Sequence, residues 1–162
     1  MTRQIDYIVI HEADCALLKP SGAEFTITDI DHWHIERGFK RQRSWVTQFN
    51  PTIKACGYQY VIGVRGTLWT GRNEDETPAA VQGHNHDSIN ICLIGKGKYT
   101  AAQWVGLKEL VSRLIDRFPT AMVKGHREFD TAIAQGKTCP DFDVQVWIKN
   151  NMEPVPNHVQ EL

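Results

Sequence analysis

Six consecutive residues at positions 89–94, Ile-Asn-Ile-Cys-Leu-Ile, form a nearly continuous apolar run. A strand with one face in solvent alternates apolar and polar residues, whereas a strand buried on both faces is apolar at almost every position. The run therefore predicts a central strand. A chain that contains such a strand must cover its sheet with other elements, and helices are the expected cover.

The clearest helical pattern follows this strand. Thr100 and Gln103 have the spacing of a capping box, and apolar residues recur at helical spacing from Trp104 to Phe118. Pro119 ends the pattern, because proline cannot continue a helix. We predict one long amphipathic helix over this segment.

Shorter elements are predicted along the rest of the chain. Residues 5–10 are rich in β-branched side chains and favour a first strand, and Thr28 with Asp31 resembles a second capping box, for a helix that stops at Gly38. The other predictions are a hairpin of residues 58–64 and 67–71, loops at 40–54 and 73–87, a short strand at 122–124 and a last helix at 141–150. This order favours a mixed α+β or α/β fold in which a central mixed β-sheet is flanked by helices.

Length and charge limit the class of protein and its partners. At 162 residues the chain is most simply one domain, which we place at residues 1–152, with a tail at 153–162 that is expected to fray. Lys and Arg (18) nearly balance Asp and Glu (19), which argues against a nucleic-acid partner. No stretch approaches the roughly 18 apolar residues of a membrane span, and the first residues do not resemble a secretory signal. We therefore expect a soluble monomer made in the cytoplasm, with no signal peptide and no membrane insertion.

Four cysteines are present, without a CxxC pair or regular spacing. This pattern is typical of reduced thiols and not of a disulfide framework. We expect Cys15, Cys56 and Cys92 to be small buried residues. Cys139 differs because Lys137 and His126 lie near it in the sequence.

His11, His126 and Cys139 are the candidate metal ligands. His11 follows the first predicted strand, and His126 follows the predicted strand at residues 122–124, so both lie at strand ends, where ligands gather. Two imidazoles and a thiolate suit zinc, and three protein ligands leave a fourth position open. The alternative for each histidine is a structural role in the core, and the chain has no short zinc signature such as HExxH.

Lys137 lies two residues before Cys139. If this segment is extended, the two side chains point the same way about 6.6 Å apart. The ammonium of Lys137 could then stabilise the oxyanion that forms when water attacks a carbonyl. The alternative is a solvated loop lysine.

The remaining histidines give weaker signals. We expect His34 to pack or hydrogen-bond beneath the sheet, and His158, in the tail, to be inert. His84 and His86 lie in a predicted loop and could line a cleft.

Several motifs occur in the order of a known family. They are the strand that ends in His11, Asp-His-Trp-His-Ile-Glu-Arg-Gly-Phe at 31–39, Gly-Tyr-Gln-Tyr-Val-Ile at 57–62, Gly-Thr-Leu-Trp-Thr-Gly-Arg at 66–72, His-Asp-Ser-Ile-Asn-Ile-Cys-Leu-Ile-Gly at 86–95, Gly-His at 125–126 and Lys-Thr-Cys-Pro-Asp-Phe-Asp at 137–143. Together they resemble the type 2 family of zinc N-acetylmuramoyl-L-alanine amidases, above all the small bacteriophage lysozymes that are amidases. The family shares its fold with peptidoglycan recognition proteins.

The resemblance implies a function and a set of site residues. It implies hydrolysis of the amide between N-acetylmuramic acid and L-alanine in peptidoglycan, with Zn²⁺ held by His11, His126 and Cys139. It also implies that Lys137 and Tyr58 take part in catalysis without binding metal. Cys92 occupies the place where some relatives carry a glutamate base, and Tyr58 is then the better group to orient water or relay a proton.

Two alternatives to this function stay open. One is a peptidoglycan-binding module without catalysis, although a module of this kind commonly carries serine in place of Cys139. The other is an added regulatory role in which the protein binds a phage RNA polymerase. We favour a phage endolysin that is made in the host cytoplasm and reaches the cell wall after release.

Overall fold

A five-stranded β-sheet forms the centre of the part of the chain that the computed structural model describes, residues 2–162. Its strands are β1 (Tyr7–Glu12), β2 (Tyr60–Ile62), β3 (Leu68–Thr70), β4 (Ser88–Leu93) and β5 (Met122–Gly125), in the spatial order β3-β2-β4-β1-β5. Neighbouring strands are parallel except β2 and β3, which form an antiparallel hairpin. The sheet is therefore mixed, as predicted.

Strand β4 lies at the middle of the sheet, between β1 and β2. All six of its residues are buried, which confirms the central strand predicted from the apolar run. The strand begins one residue earlier than predicted and ends one residue earlier. The hairpin is also confirmed, but its first strand has three residues instead of seven. Before it, the carbonyl oxygens of Gln59 and Tyr58 still accept from the N–H groups of Gly71 and Arg72.

Helices surround the sheet in the described residues. They are α1 (Ile27–Glu36), α2 (Arg43–Gln48), α3 (Ala101–Arg117), α4 (Asp130–Ala134) and α5 (Val144–Lys149), with 3-10 turns at His126–Glu128 and Pro156–His158. Helix α3 begins with the predicted capping box of Thr100 and Gln103. Within residues 2–162, none of the helices has both the length and the apolar character that a bilayer crossing requires.

An apolar layer covers each face of the sheet, because alternate residues of a strand point to opposite faces. On one face, α3 and α5 pack against Ile8, Ile10 and Ile91. On the other face, α1 packs against Val61 and Cys92. The carboxyl ends of the parallel strands meet at one edge of the sheet, which is the edge where ligand sites form in such folds.

Helix α1 is capped by different residues from those predicted. Its N-cap is Thr26, whose partner in the capping box is Asp29. Asp31 is instead buried, and its carboxylate accepts hydrogen bonds from the backbone N–H groups of Lys54, Ala55 and Cys56 at 2.6 to 3.0 Å. The predicted cap at Thr28 is wrong because Asp31 holds a distant loop and not the helix end.

The predicted loops contain more order than their composition indicates. Residues 43–48 form α2, and Arg41 beside it is buried in an ion pair with Glu76, with Nη2 and Oε2 2.7 Å apart. Arg41 also donates to the carbonyl groups of Phe49, Asn50 and Ile53. One buried cation thus organises two loops, and periodicity in the sequence cannot reveal such a contact.

The tail packs on the domain and does not fray. Val159 pairs with Tyr99 in an isolated β-bridge, and Nδ1 of His158 lies 2.5 Å from the Gly97 carbonyl oxygen. The Trp104 indole donates to the His158 carbonyl at 3.2 Å. His158 is therefore a structural contact and not an inert tail residue, while the division of the chain at residue 152 stays a prediction.

Candidate metal centre and cleft

Adjacent parallel strands bring two of the candidate ligands together. His11 is the second-last residue of β1, not a residue after the strand as expected, and His126 directly follows β5. Because β1 and β5 are parallel neighbours, both side chains lie at the carboxyl edge of the sheet, with their ring centroids 4.7 Å apart. The two histidines are 115 positions apart in the chain and meet only through this strand pairing.

Cys139 reaches the same point from the loop that follows α4. The backbone N–H of Glu12 donates to its Sγ at 3.2 Å, and the N–H of Arg127 donates to its carbonyl oxygen at 2.7 Å. These bonds tie the sulfur and the backbone of Cys139 to the residues that directly follow the two histidines. The sulfur is thus held at the histidine pair by backbone groups.

The three side chains fit a zinc ion. One ring nitrogen from each histidine and the cysteine sulfur all lie within 4.8 Å of one another. Ligands of a tetrahedral zinc ion stand roughly 3.4 to 3.8 Å apart at the bond lengths that zinc prefers. The donors therefore need only a small inward shift to share one ion, and nitrogen and sulfur are the donor types that zinc selects.

Burial sets the charge of each candidate ligand. Burial, and then the nearby His126, lowers the pKa of His11 well below its ordinary value. Burial and then the Lys137 ammonium lower the pKa of His126 to about 4. Burial raises the pKa of the Cys139 thiol to about 12. Both imidazoles therefore keep a free lone pair at neutral pH, whereas the thiol must exchange its proton for a cation.

Lys137 lies at the mouth of the site. Its side chain is exposed, and its ammonium lies close enough to lower the pKa of both histidines. Its backbone N–H donates to the carbonyl oxygen of Ala132 in α4. The structure thus places the cation beside the candidate ligands, on the same cleft.

Tyr58 packs against the ring of His11. Its ring centroid is 5.1 Å from that of His11, and it precedes β2 instead of lying in the predicted strand. Burial raises the pKa of Tyr58 well above its ordinary value, so the phenol keeps its proton at neutral pH. Cys92 belongs to the buried cluster against which Tyr58 packs, and burial likewise raises the pKa of this thiol. Neither group is therefore an anion near the site.

His34 packs and hydrogen-bonds in the interior, as expected, and it also forms part of the wall of the cleft. Its Nδ1 accepts a hydrogen bond from the Gly57 N–H at 2.9 Å, and its ring centroid is 5.3 Å from that of Tyr58. Burial lowers the pKa of His34 to about 4. The sequence places Ile30 and His34 on one face of the helix, but it does not show which part of the fold that face packs against.

The cleft has a volume of about 370 Å³ and is open on one side. It is lined by the five predicted site residues together with Glu12, Ala13, Asp14, Ile30, Trp33, His34, Arg37, Phe39, Ala79, Ala80, Lys96, Gly136 and Thr138. His84 and His86 are not among these residues, and His84 packs instead against Tyr7 and Phe129. The two histidines therefore do not contribute to this cleft.

Known proteins resemble this chain in sequence along most of its length. Residues 1–142 match the family model described as N-acetylmuramoyl-L-alanine amidase. The chain is 31% identical over 154 residues to the endolysin of Escherichia phage T7, across 90% of this chain and 87% of the phage protein.

Two solved structures share the fold. One is the N-acetylmuramoyl-L-alanine amidase LysC from Clostridium intestinale, with 20% identity and a TM-score of 0.69 over 93% of this chain and 88% of that chain. The other is peptidoglycan recognition protein-LE in complex with tracheal cytotoxin, a monomeric diaminopimelic acid-type peptidoglycan, with 18% identity and a TM-score of 0.63 over 91% and 82%. On the family match and the T7 relationship together, this chain belongs to the N-acetylmuramoyl-L-alanine amidase family.

Proposed function

We propose that this protein is a zinc-dependent N-acetylmuramoyl-L-alanine amidase that acts on peptidoglycan as a phage endolysin. One observation carries the proposal: His11, His126 and Cys139 converge at the base of an open cleft. A site with three ligands on the floor of a cleft leaves room for water and a substrate carbonyl. When bound, zinc would supply a Lewis acid that polarises the scissile carbonyl and lowers the pKa of the attacking water.

The roles of Lys137 and Tyr58 follow from their charge states. The Lys137 ammonium offsets the negative charge that develops on the carbonyl oxygen as the C–O bond forms. The protonated Tyr58 is suited to donate a hydrogen bond and orient water or substrate, not to act as a base. Breaking the C–N bond then frees the amino group of L-alanine, which takes the proton lost by water.

The substrate and the place of action are inferred from the relatives. The T7 protein and a second match, from Enterobacteria phage T3, are both named endolysins, and the T3 protein is 30% identical over 85% of this chain. The structure of peptidoglycan recognition protein-LE holds a peptidoglycan fragment in the same fold. These facts support a muramyl peptide as the ligand of the cleft and the bacterial cell wall as the place of action. Binding of a phage RNA polymerase stays a prediction.

Zinc content and wall hydrolysis, measured on the same preparation, test the proposal. We expect near-stoichiometric zinc and release of L-alanine amino termini from purified cell walls, with activity lost on chelation and restored by zinc. Cys139→Ser should lose both zinc and turnover, because a hydroxyl is a much poorer zinc ligand than a thiolate. Cys15→Ser is the matched control and should retain both.

The same assay separates the enzyme from the binding module. Saturable binding to cell walls without release of amino termini, in a zinc-loaded preparation, would support the module and contradict the amidase. Full activity after removal of all metal would contradict the zinc dependence alone.

A further inference from the structure

Asn90 is an uncharged polar residue at the middle of the most buried strand of the protein. It is 0% exposed, and its neighbours Ile89 and Ile91 are also fully buried. A buried amide is costly unless its donors and acceptors are all paired, so its presence in such a strand calls for a specific contact.

The strand register identifies this contact. In the parallel pairing of β1 and β4, Val9 lies opposite Asn90 and His11 lies opposite Cys92. Asn90 and His11 are therefore diagonal neighbours on the same face of the sheet. Oδ1 of Asn90 lies 2.7 Å from Nε2 of His11, which is a short hydrogen bond between two buried groups.

One further bond engages the side-chain amide of Asn90, and two more hold its backbone. Its Nδ2 donates to Oγ of Ser88 at 2.9 Å, and its backbone N–H donates to Oε1 of Gln59 at 2.9 Å. The backbone N–H of Gln59 in turn donates to the Asn90 carbonyl oxygen at 3.1 Å. With Nδ2 engaged by Ser88, the amide presents its oxygen to the imidazole, and an oxygen can only accept.

We propose that Asn90 is a positioning residue that holds His11 as the Nε2–H tautomer and leaves Nδ1 free to bind the metal. The inference rests on the proposed zinc function and extends it beyond the three ligands. A hydrogen bond at the second ring nitrogen fixes both the tautomer and the orientation of a ligating histidine. Among the described residues no group hydrogen-bonds the ring of His126, so the two imidazoles differ, and His11 is the ligand that the fold orients in advance.

The tautomer can be measured directly in the zinc-free protein. Long-range ¹H–¹⁵N correlation spectra of histidine-labelled protein distinguish Nε2–H from Nδ1–H. We expect His11 to be in the Nε2–H form in the wild-type protein and to become a mixture in Asn90→Ala, while Asn90→Asp, which keeps an acceptor oxygen, retains the Nε2–H form. A wild-type spectrum with the proton on Nδ1 of His11 would overturn the proposal without any variant.

Zinc affinity, measured by competition with a chelating dye, gives the second readout. Asn90→Ala should weaken zinc binding by about 10- to 100-fold, the usual effect of losing such a partner of a metal ligand. Asn90→Asp is the matched control, because it keeps an acceptor oxygen toward Nε2 of His11, and it should change the affinity by only a few-fold. Equal affinity of the wild-type protein and a folded Asn90→Ala variant would also overturn the proposal.

The two readouts keep this inference separate from the proposed function. A wild-type protein that binds no zinc contradicts the zinc-dependent enzyme, and the tautomer of His11 then still decides the role of Asn90. A zinc enzyme with unchanged affinity in Asn90→Ala contradicts the inference and leaves the enzyme intact.

Discussion

At the scale of single residues, the cleft is built from imidazoles that the fold keeps neutral. His11, His34 and His126 are all buried, and burial is the largest cause of the lowered pKa of each. Neutral rings can act as ligands or hydrogen-bonding partners, whereas protonated rings would repel a cation. The pH dependence of the site therefore comes from histidines whose protonation is disfavoured by burial.

His34 should make stability depend on pH. The pKa of His34 falls from 6.5 to about 4 on folding. Above pH 6.5 the ring is neutral in both the folded and the unfolded state. As the pH falls from 6.5 toward 4, the unfolded state binds the proton first, and the free energy of unfolding therefore decreases. Between pH 7.5 and pH 5 this group alone should lower the free energy of unfolding by about 2 kcal/mol. Urea unfolding of zinc-free protein at the two pH values should show a smaller decrease in His34→Asn, whose amide oxygen can still accept from Gly57.

The control for this measurement lies on the same helix. His32 has an exposed side chain, and His32→Asn should leave the decrease as large as in the wild-type protein. An unchanged decrease in His34→Asn would show that the pH dependence comes from other groups.

Lys137→Ala tests the role of the cation at the mouth of the cleft. Removing a group that stabilises the oxyanion should lower kcat by roughly 10²- to 10³-fold while zinc content stays unchanged. Lys96→Ala is the control, because Lys96 lines the same cleft but pairs with Asp14 at 2.6 Å, and it should have only a small effect. A loss of zinc in Lys137→Ala would contradict a purely catalytic role.

At the scale of secondary structure elements, the contacts that fix α1 also position one wall of the cleft. The helix carries Trp33 and His34, which line the cleft, and its first turn is held by the reciprocal bonds of Thr26 and Asp29. Its other anchor is Asp31, which binds the loop before Gly57. The capping pair and Asp31 together therefore position one wall of the site.

Thr26→Ala should lower the free energy of unfolding by about 1 kcal/mol, because the first turn loses its cap. Thr28→Ala, at the cap position expected from the sequence, should change it by less than about 0.5 kcal/mol, since Thr28 is exposed. Chemical denaturation of the two variants compares the two positions directly. A larger effect at Thr28 would mean that the helix begins where the sequence pattern placed it.

At the scale of the whole molecule, a metal bound by His11, His126 and Cys139 would link three separate segments of the chain. These segments are β1, the turn after β5 and the loop after α4. A ligand that binds only the folded state stabilises it, by about 2.7 kcal/mol when its free concentration is 100 times Kd. Zinc should therefore raise the melting temperature of the chelated protein.

Thermal melting with and without zinc measures this linkage. The increase should be absent in Cys139→Ser and preserved in Cys15→Ser. An equal increase in both variants would show that zinc binds elsewhere on the protein.

Local patterns predicted a large part of the fold. The apolar run of β4 and the capped periodicity of α3 are signals that depend on neighbouring residues, so both elements could be located from the sequence. The cap of α1, the helix α2 and the docking of His158 could not, because each depends on a partner remote in sequence. The role of Asp31 shows the difference most clearly, since a residue that resembles a cap in the sequence anchors a loop 23 to 25 positions away.

The sequence by itself determined which chemical groups this protein has for a metal site, namely two histidines, a cysteine and a nearby lysine, and which segments form its central strand and longest helix. Only the tertiary structure decided that these groups meet, that His34 forms part of their cleft and that Asn90 contacts His11. The physical reason is that helices and strands follow from short-range periodicity, whereas a site follows from strand pairing. The parallel register of β1 with β4 and β5 sets which side chains share an edge, and no spacing along the chain encodes that register.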